Sequence, residues 1–265
     1  MSKQQSRILV YQVGVVALIL IPWECIGRAS VFWKFLIGTP TAVLYELWDL
    51  LAHHQLWKHF LVTGSEAVIG LLLGTAVGSI GGLLLWYSDT VARVARPFIL
   101  ILGSLPVFAF APLMIVWFGV GFGMKVALAA FSTVFIACNQ GYRGATLVAS
   151  DYVDTLRGMN ASRWQIFKKV IIPGSINWVL ASARLNVGFG LLGAFIGEFI
   201  ASNGQGLGYL IIKAGALYNV PRALAACVGL TVLALVLDWI ARFVEHKRHV
   251  MVQILSVPRV LWTWW

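Results

Sequence analysis

The sequence predicts an all-α polytopic membrane protein with about six transmembrane helices. Of the 265 residues, 60% are hydrophobic, whereas soluble globular domains contain roughly one half. Only 11% are charged, and the mean hydropathy is +0.85. The apolar residues also collect in long runs, and a helix needs about 20 of them to cross the hydrocarbon core of a bilayer.

Six apolar stretches can each supply a span. The first continues into Pro22, Trp23 and Glu24 without a small-residue cleavage site, so we expect a span there and not a removable signal peptide. The second and third contain no charged residue, whereas the fifth contains Glu198 and the sixth contains Asp238. In chain order the stretches are residues 8–26, 67–87, 97–122, 126–142, 185–200 and 223–241.

The basic residues are distributed unevenly between the connections. If both termini lie in the cytoplasm, 14 of the 20 Lys and Arg residues fall on the cytoplasmic side and the other six fall outside, as the positive-inside rule requires. The same distribution argues against nucleic-acid binding despite a net charge of +10, because bilayer topology itself places positive charge between spans. Membrane lipid is therefore an expected partner.

Length and patterning divide the chain into three parts. Residues 1–60 supply the first span and an outer connection, residues 61–245 supply the core, and residues 246–265 form a tail. The tail ends in the aromatic stretch VLWTWW, residues 260–265, which we expect at the cytoplasmic interface because Trp prefers that depth.

Motifs for catalysis and nucleotide binding are absent from the sequence. It contains no G-x-x-x-x-G-K-[ST], HExxH or GxSxG, so ATP hydrolysis would have to come from a partner. His53, His54 and His59 cluster on the outer connection. They have no carboxylate at a metal-binding spacing, and we expect surface or interfacial positions and no metal site.

Residues 154–173, DTLRGMNASRWQIFKKVIIP, form a polar island between apolar spans. Ser162 precedes Gln165 by three residues, which is the capping-box spacing. A helix is therefore predicted to begin near Ser162, to run through Phe167 and to stop before Pro173, whose ring disfavours helical geometry in the preceding residue.

A first short helix is predicted to begin just upstream of this island and to end within it. Ser150 or Asp151 is expected to cap its start, and Gly158 and Asn160 offer the left-handed conformation that ends it. Two short helices joined by a tight turn then lie at the membrane surface. The alternative is an interfacial amphipathic segment whose Arg and Lys side chains meet anionic lipid.

The island resembles the cytoplasmic signature of permease subunits of bacterial type I ABC importers. That signature reads Glu-Ala-Ala, three residues, Gly, nine residues, Ile, one residue, Leu-Pro. Asp154, Thr155 and Leu156 stand at the Glu-Ala-Ala positions, Asn160 stands at the Gly, and the closing motif matches near residues 171–173, with Ile172 in place of Leu. Asp keeps the charge of Glu, and Asn tolerates left-handed geometry.

Two other segments extend the resemblance. SLPVFAFAPLMIVWFGVG, residues 104–121, and GEFIASNGQGLGYLI, residues 197–211, are similar to the branch of that family that serves nitrate, sulfonates and taurine. The similarity covers most of residues 40–245. It implies the type I ABC importer permease fold, with residues 61–245 as the core permease domain and coupling helices at residues 150–173.

The resemblance also implies partners and a mechanism. Such a permease pairs with a second copy in the bacterial inner membrane and receives a small solute from a periplasmic binding protein. Two cytoplasmic ATPase subunits bind ATP and Mg²⁺, and this chain binds no cofactor. Their closure moves the spans as rigid bodies, so that access to the path alternates between the two sides.

The coupling helices would dock on the ATPases through a charged and an apolar set of side chains. The charged set orients the helices, and the apolar set fills a socket. The residues expected to contact the ATPase are Asp154, Thr155, Leu156, Arg157, Met159, Asn160, Ala161, Arg163, Trp164 and Phe167.

A four-residue glycine spacing marks the second span. Gly70, Gly74, Gly78 and Gly82 lie on nearly one helix face, where they permit close approach of a neighbouring backbone. Tight helix packing is the expected role.

The third and fourth spans carry the candidate path residues. Pro106 and Pro112 remove backbone hydrogen bonds in the third span, which membranes tolerate where a cavity or neighbours satisfy the freed carbonyls. Ser132 and Asn139 add polar groups to the fourth span. Each of these residues is also compatible with ordinary helix packing.

Glu198 is an ionisable residue at the end of the fifth span, where burial is expensive. It is predicted either to gate the outer mouth, to pair with Lys213 or Arg222, or to occupy a simple interfacial position.

Two other classes of membrane protein stay open. A channel or secondary transporter would show internal repeats or paired charges across the spans, and a membrane enzyme would show clustered catalytic groups at one depth. For the solute, the resemblance favours an anion such as an alkanesulfonate, taurine or nitrate. Bicarbonate, an aromatic acid, a thiamine-precursor pyrimidine and riboflavin are alternatives.

Overall fold

The structure, a computed structural model, describes residues 3–255. Every regular element in that range is helical, which confirms the all-α prediction; the aromatic stretch at residues 260–265 lies outside the described residues. The α-helices are α1 (Lys3–Ala29), α2 (Val31–Ile37), α3 (Pro40–Ala52), α4 (Gln55–Leu84), α5 (Asp89–Ser104), α6 (Val107–Phe118), α7 (Phe122–Thr146), α8 (Ser150–Gly158), α9 (Arg163–Ile166), α10 (Ile172–Ile200), α11 (Leu207–Ala216) and α12 (Val220–Leu255). A 3₁₀ turn (Leu85–Tyr87) follows α4, and a π-helical turn (Phe167–Ile171) joins α9 to α10.

Five helical segments of the described chain are long and apolar enough to cross a membrane, and a bent pair of helices supplies a sixth. The five are Arg7–Ala29, Gln55–Tyr87, Phe122–Thr146, Arg163–Ile200 and Val220–Glu245. Each overlaps one of the predicted stretches, so the count of about six spans is confirmed when the bent pair is taken as one.

The third predicted span is wrong in its bounds and its continuity. Its helix already begins at Asp89, where Ser88 Oγ accepts the N–H of Val91 at 3.4 Å. It then breaks between α5 and α6 with a bend of 94°. Leu105 has extended geometry (φ −69°, ψ 138°) because the ring of Pro106 disfavours a helical conformation in the preceding residue.

The fifth predicted span, residues 185–200, is too short, and the predicted helix end before Pro173 is wrong. The helix continues from Arg163 through the π turn to Ile200. Pro173 lies in the first turn of α10, directly after the π turn. In a regular α-helix a proline lacks the N–H of one backbone hydrogen bond, and its ring clashes with the preceding turn. The π turn changes the hydrogen-bond pattern just before Pro173, so the proline is tolerated there.

The chain divides into two compact units. One contains the chain up to Val62 together with Gly204–Thr231, and the other contains Thr63–Asn203 and the chain from Val232 onward. Residues 204–231, which the sequence pattern placed in the core segment, therefore belong with the N-terminal part.

Side-chain caps and a partly exposed carboxylate organise the N-terminal part of the first unit. Ser30 caps α2, and Thr39 caps α3 by accepting the N–H of Ala42 at 3.2 Å. Glu24 of α1 accepts the N–H and the hydroxyl of Thr41, at 3.1 and 2.8 Å. These bonds fix the start of α3 against α1.

The core of the second unit forms where α7 packs along α10 and α6. Ala111, Met114, Met124, Leu128 and Ala201 are buried together there. Small residues in this set let the helix axes approach closely, as is typical where lipid supplies no hydrophobic driving force between spans.

Candidate functional site

The turn between α8 and α9 has the local geometry that the sequence predicted. Asn160 is left-handed (φ 61°). Ser162 Oγ accepts the N–H of Gln165 at 3.3 Å, and Gln165 Oε1 accepts the N–H of Ser162 at 2.7 Å. The capping box is therefore confirmed, and the helix begins at Arg163 as expected.

The start of α8 differs from the prediction. Its N-cap position is Ala149, which offers no side-chain cap, so capping by Ser150 or Asp151 is wrong. Ser150 Oγ points to the Asp151 carboxylate at 3.5 Å instead. The negative charge of Asp151 in the first turn still complements the helix dipole. Gly158 lies inside α8, so Asn160 alone makes the left-handed turn.

An apolar cluster anchors the α8–α9 segment, residues 150–166, to the rest of its unit. Val153, Ile166 and Phe167 are buried in it with Ala145 and Ile171. The cluster also receives partly buried side chains from the end of α4, from the 3₁₀ turn and from the segment itself. The segment is therefore packed on the ends of α4, α7 and α10.

Contacts between aromatic rings and one hydrogen bond between residues distant in sequence strengthen this anchor. The ring centroid of Phe167 lies 4.8 Å from that of Tyr87, 5.9 Å from that of Trp164 and 6.0 Å from that of Trp86. Arg163 Nη1 donates to the Tyr87 carbonyl at 3.1 Å. Phe167 was expected on the docking face; it is 4% exposed, so that expectation is wrong, because its ring fills the aromatic cluster.

The rest of the predicted docking set forms a mixed exposed face. Met159 is 72% exposed and Trp164 is 60% exposed. Asp154 and Arg157 form an exposed ion pair at 3.3 Å, which contributes little to stability and leaves both groups accessible. Leu156 and Ala161 are half-buried against the apolar cluster. The members of the set that lie exposed are Asp154, Thr155, Arg157, Met159, Asn160, Arg163 and Trp164.

The four spaced glycines of α4 lie directly against the backbone of α7. A Cβ atom added at Gly70 would collide with Ala129, at Gly74 with Thr133 and Ala130, at Gly78 with Val134 and at Gly82 with the Cys138 carbonyl oxygen. The stripe thus follows one neighbouring helix of the same chain over three turns. Only glycine permits this approach.

A buried ionic cluster joins α4, α7 and α10, and we define it as Glu66, Lys125 and Glu198. All three side chains are fully buried. Lys125 Nζ lies 3.1 Å from Glu66 Oε1 and donates to Asn203 Oδ1 at 2.9 Å. Thr63 donates to Glu198 Oε1 at 2.6 Å, and the two carboxylates are close enough to interact directly.

This cluster revises two expectations from the sequence. Glu198 does not occupy a simple interfacial position, and Arg222 and Lys213, its suggested partners, have other contacts, Arg222 with Glu46 and Asp49 and Lys213 with the Tyr209 ring. Lys125 was assigned to an outer connection, but it lies buried in the first turn of α7. Gly197 makes room for it, since an added Cβ there would meet the Lys125 side chain at 2.9 Å.

Sequence reasoning missed Glu66 and Lys125 because each lies at the edge of a predicted span. The sequence does contain one signal for this site. Thr63 and Glu66 are three residues apart, which places a hydroxyl and a carboxylate side by side on one face of α4. An ionisable group on such a face requires a buried partner.

A second polar layer lies further along the same helices. Asn186 is fully buried and donates to Thr75 Oγ1 and to the Thr133 carbonyl, each at 3.2 Å. Ser132 donates to the carbonyls of Ala129 and Phe189, each at 2.7 Å. The hydroxyl of Ser132 is thus used in helix packing.

The other path candidates lie around the bent helix pair. Pro106 is at the bend, and Pro112 lies exposed inside α6. Asn139 lines a groove of about 220 Å³ between α5 and α7, next to Gln140, Gly103 and Ser104. Ser104, Asn139 and Gln140 give this groove its polar side chains, and most of the remaining lining is apolar.

The histidines of the outer connection differ in exposure. His53 is exposed and follows α3, whereas His59 is 9% exposed and accepts the N–H of Gly206 at 2.9 Å through Nδ1. A surface position is therefore wrong for His59. Among the side chains that the structure describes, no group of three or more His, Cys, Asp or Glu is arranged to hold a metal ion.

Residues 70–250 match the family model of the binding-protein-dependent transport system inner membrane component. The chain belongs to this family. The matched range includes the glycine stripe, the α8–α9 segment, and Lys125 and Glu198 of the ionic cluster, whereas Glu66 lies just before it.

Similar proteins agree with this assignment. The permease is 32% identical over 231 residues to a "Probable ABC transporter permease protein" of Haemophilus influenzae, covering 85% of this chain and 93% of the relative. It is 28% identical over 234 residues to a "Putative aliphatic sulfonates transport permease protein SsuC" of Bacillus subtilis, with 87% and 83% covered. The resemblance to the sulfonate branch is thereby confirmed.

The fold agrees with a solved structure. A chain of the inward-facing MetNI methionine ABC transporter superposes with a TM-score of 0.65 at 16% identity, covering 72% of the permease and 95% of that chain. The permease therefore has the type I ABC importer permease fold and is a multi-pass transmembrane subunit of a binding-protein-dependent importer.

Proposed function

We propose that this permease works as one of two copies in the bacterial inner membrane, driven by two cytoplasmic ATPase subunits that dock on the α8–α9 segment and bind ATP and Mg²⁺. The observation that carries the proposal is the exposure of Met159 and Trp164 on a segment whose other face is packed in the apolar cluster. An exposed apolar pair beside accessible charges is typical of an interaction site.

The packing of this segment suits it to transmit movement. Arg163 donates a hydrogen bond to the carbonyl of Tyr87 after α4, and the ring of Phe167 contacts the ring of the same residue. Ala145 of α7 and Ile171 before α10 complete the buried cluster. A displacement of the exposed turn therefore moves the ends of three spans together, because a close-packed cluster transmits strain instead of absorbing it.

The buried ionic cluster is proposed to hold the opposite ends of these spans. Lys125 and Glu66 lie near the start of α7 and in the first half of α4, and Glu198 lies near the end of α10. Alternating access requires that such contacts have two arrangements. Glu198 is therefore the proposed gate residue, while Pro106, Pro112 and Asn139 line the proposed path around the bend.

A small anion is the proposed solute, delivered by a periplasmic binding protein. Support comes from the relative named for aliphatic sulfonates. The described surface of the α5–α7 groove carries amide and hydroxyl groups and no ionised side chain, so selectivity for one anion over another is expected to lie mainly with the binding protein.

The docking proposal is tested by placing a charge in the expected socket. Met159→Glu and Trp164→Glu should each lower ATP-driven uptake by tenfold or more and reduce the ATPase that co-purifies, because an unpaired carboxylate in an apolar interface costs several kcal/mol. Intact-complex mass spectrometry of the protein in mild detergent measures the second effect. Met159 is the more selective position, because Trp164 also stacks on Phe167 and Ala161 packs against the anchoring cluster.

Val31→Glu is the matched control, since Val31 is 86% exposed at the start of α2, far from the segment in sequence. It should retain two permease copies and two ATPase subunits. Normal uptake and an intact complex in both Met159→Glu and Trp164→Glu would refute docking at this segment. A wild-type complex without ATPase, even with nucleotide present, would favour a channel or secondary transporter.

A further inference from the structure

A polar cavity of about 500 Å³ lies within the first unit, between the start of α4, the helix α11 and the start of α12. Its size is in the range of small-molecule sites. The side chains that determine its chemistry are Gln55, His59, Tyr209, Lys213, Asn219 and Arg222. Among the described lining residues there is no Asp or Glu.

The amide oxygens and the imidazole acceptor of this lining are already engaged. Gln55 Oε1 accepts from Arg222 Nη2 at 2.9 Å, and Asn219 Oδ1 accepts the N–H of Arg222 at 3.0 Å. His59 Nδ1 accepts the N–H of Gly206 at 2.9 Å. The cavity therefore has few acceptor atoms left for a ligand.

The guanidinium of Arg222 is also engaged, outside the cavity lining. Its Nη1 lies 3.3 Å from Glu46 Oε2 and 3.5 Å from Asp49 Oδ2, and Asn219 Nδ2 donates to Glu46 Oε1 at 3.0 Å. Arg222 therefore forms part of the cavity wall, and the carboxylates of Glu46 and Asp49 balance its charge. The remaining positive charge of the lining is that of Lys213.

Three donor side chains of the lining remain, and they are neighbours. Because Nδ1 of His59 accepts a hydrogen bond, its proton lies on Nε2, which acts as a donor. The His59 and Tyr209 ring centroids are 5.9 Å apart, and Lys213 Nζ lies 5.6 Å from the Tyr209 centroid. The residues that carry an imidazole N–H, a phenol O–H and an ammonium therefore line the same cavity, and His59 is nine-tenths buried.

We propose that this cavity binds an oxyanion group, a sulfonate or a carboxylate, through Lys213, Tyr209 and His59. Donors that include one cation need a ligand that is negatively charged and has several hydrogen-bond acceptors. The assignment rests on the proposed function as an importer of a small anion. The group belongs either to the solute itself or to an acidic side chain of the binding protein.

The test uses the full-length protein in lipid nanodiscs, with any ATPase that co-purifies, and no binding protein. Ligand-observed NMR measures binding of methanesulfonate, which represents a solute, and of N-acetyl-glutamate methylamide, which represents a protein carboxylate. At least one should bind near 1 mM. Lys213→Met should weaken that binding about tenfold or more, since a charge-assisted hydrogen bond is lost, and Tyr209→Phe should weaken it several-fold.

Two controls distinguish binding at this site from non-specific attraction to positive charge. Lys58→Met removes one exposed positive charge from the same end of α4 without touching the lining, and it should leave binding unchanged. Methanesulfonamide and N-acetyl-glutamine methylamide keep the shape of the probes without the charge and should not bind. Preference for methanesulfonate identifies the solute as the source, and preference for the glutamate mimic identifies the binding protein.

The proposal is overturned if neither anion binds, if the neutral analogues bind equally, or if Lys58→Met and Lys213→Met weaken binding to the same extent. Its failure is distinguishable from failure of the docking proposal. Intact-complex mass measures the ATPase on the α8–α9 segment, whereas the NMR measurement needs only the folded permease.

Discussion

At the residue scale, the buried ionic cluster is the most constrained feature of the chain. Two carboxylates and one ammonium lie together there, Lys125 is paired with Glu66, and none of the three side chains reaches the surface of the protein. Desolvation of such groups is tolerable only while they remain paired and hydrogen-bonded. Lys125 therefore supports Glu66 by its charge, while Asn203 accepts a hydrogen bond from Lys125 and Thr63 donates one to Glu198.

Loss of Lys125 should consequently cost more than loss of an ordinary lysine. Lys125→Met leaves Glu66 and Glu198 together without a cation, and we expect the free energy of unfolding to fall by about 3–5 kcal/mol. Thermal unfolding of the reconstituted protein measures this. Lys58→Met, at an exposed position, should change the melting temperature little.

A combined variant shows whether charge is the cause. Lys125→Met with Glu66→Gln and Glu198→Gln removes all three charges at nearly constant volume, and most of the lost stability should return, because neutral replacement of a buried ion network is often harmless. If the triple variant is no more stable than Lys125→Met, packing around Lys125, and not its charge, accounts for the loss.

The same residues show why the sequence predicted only part of this site. Glu198 lies within an apolar run and is conspicuous by composition alone. Glu66 and Lys125 lie at the edges of runs, where charged residues are ordinary, and their burial depends on Gly197 and on helix packing. Local hydrophobic periodicity cannot predict a contact between residues on different helices.

At the element scale, local signals predicted local structure well. The capping box at Ser162 and the left-handed Asn160 follow from neighbouring residues alone, and both are present. The π turn before Pro173 and the 94° bend at Pro106 were not predicted in form. A proline indicates that the helix is disturbed, but the packing around it decides whether the helix widens or breaks.

The glycine stripe allows a sharp test of element packing, because two adjacent glycines differ in surroundings. A Cβ at Gly82 would lie 2.7 Å from the Tyr142 nitrogen of α7, whereas at Gly81 the nearest atom is Cys138 Sγ at 3.9 Å. Gly82→Ala should therefore lower the free energy of unfolding by about 1–3 kcal/mol. Gly81→Ala should be neutral or slightly stabilising, since alanine favours the helix by up to about 1 kcal/mol.

Denaturant titration of both variants in the same detergent gives the comparison. The helix, the residue change and the membrane environment are identical, so only the contact with α7 differs. Equal stability of the two variants would mean that α7 does not approach α4 at this point.

At the scale of the whole molecule, topology decides which partner meets which surface. The excess of Lys and Arg on one side, 14 against six, predicts cytoplasmic termini. That orientation places the α8–α9 segment in the cytoplasm and the start of α4 outside. Both the docking proposal and the oxyanion proposal require it, because ATP is available on one side and the binding protein on the other.

Cysteine labelling measures this orientation directly. With Cys25, Cys138 and Cys227 replaced by alanine, Thr155→Cys and Lys58→Cys each supply one exposed thiol. A membrane-impermeant maleimide added to intact spheroplasts should label Lys58→Cys at once and Thr155→Cys only after permeabilisation. The cysteine-free protein should stay unlabelled under both conditions. Labelling of Thr155→Cys from outside would reverse the topology and remove the α8–α9 segment from any contact with a cytoplasmic ATPase.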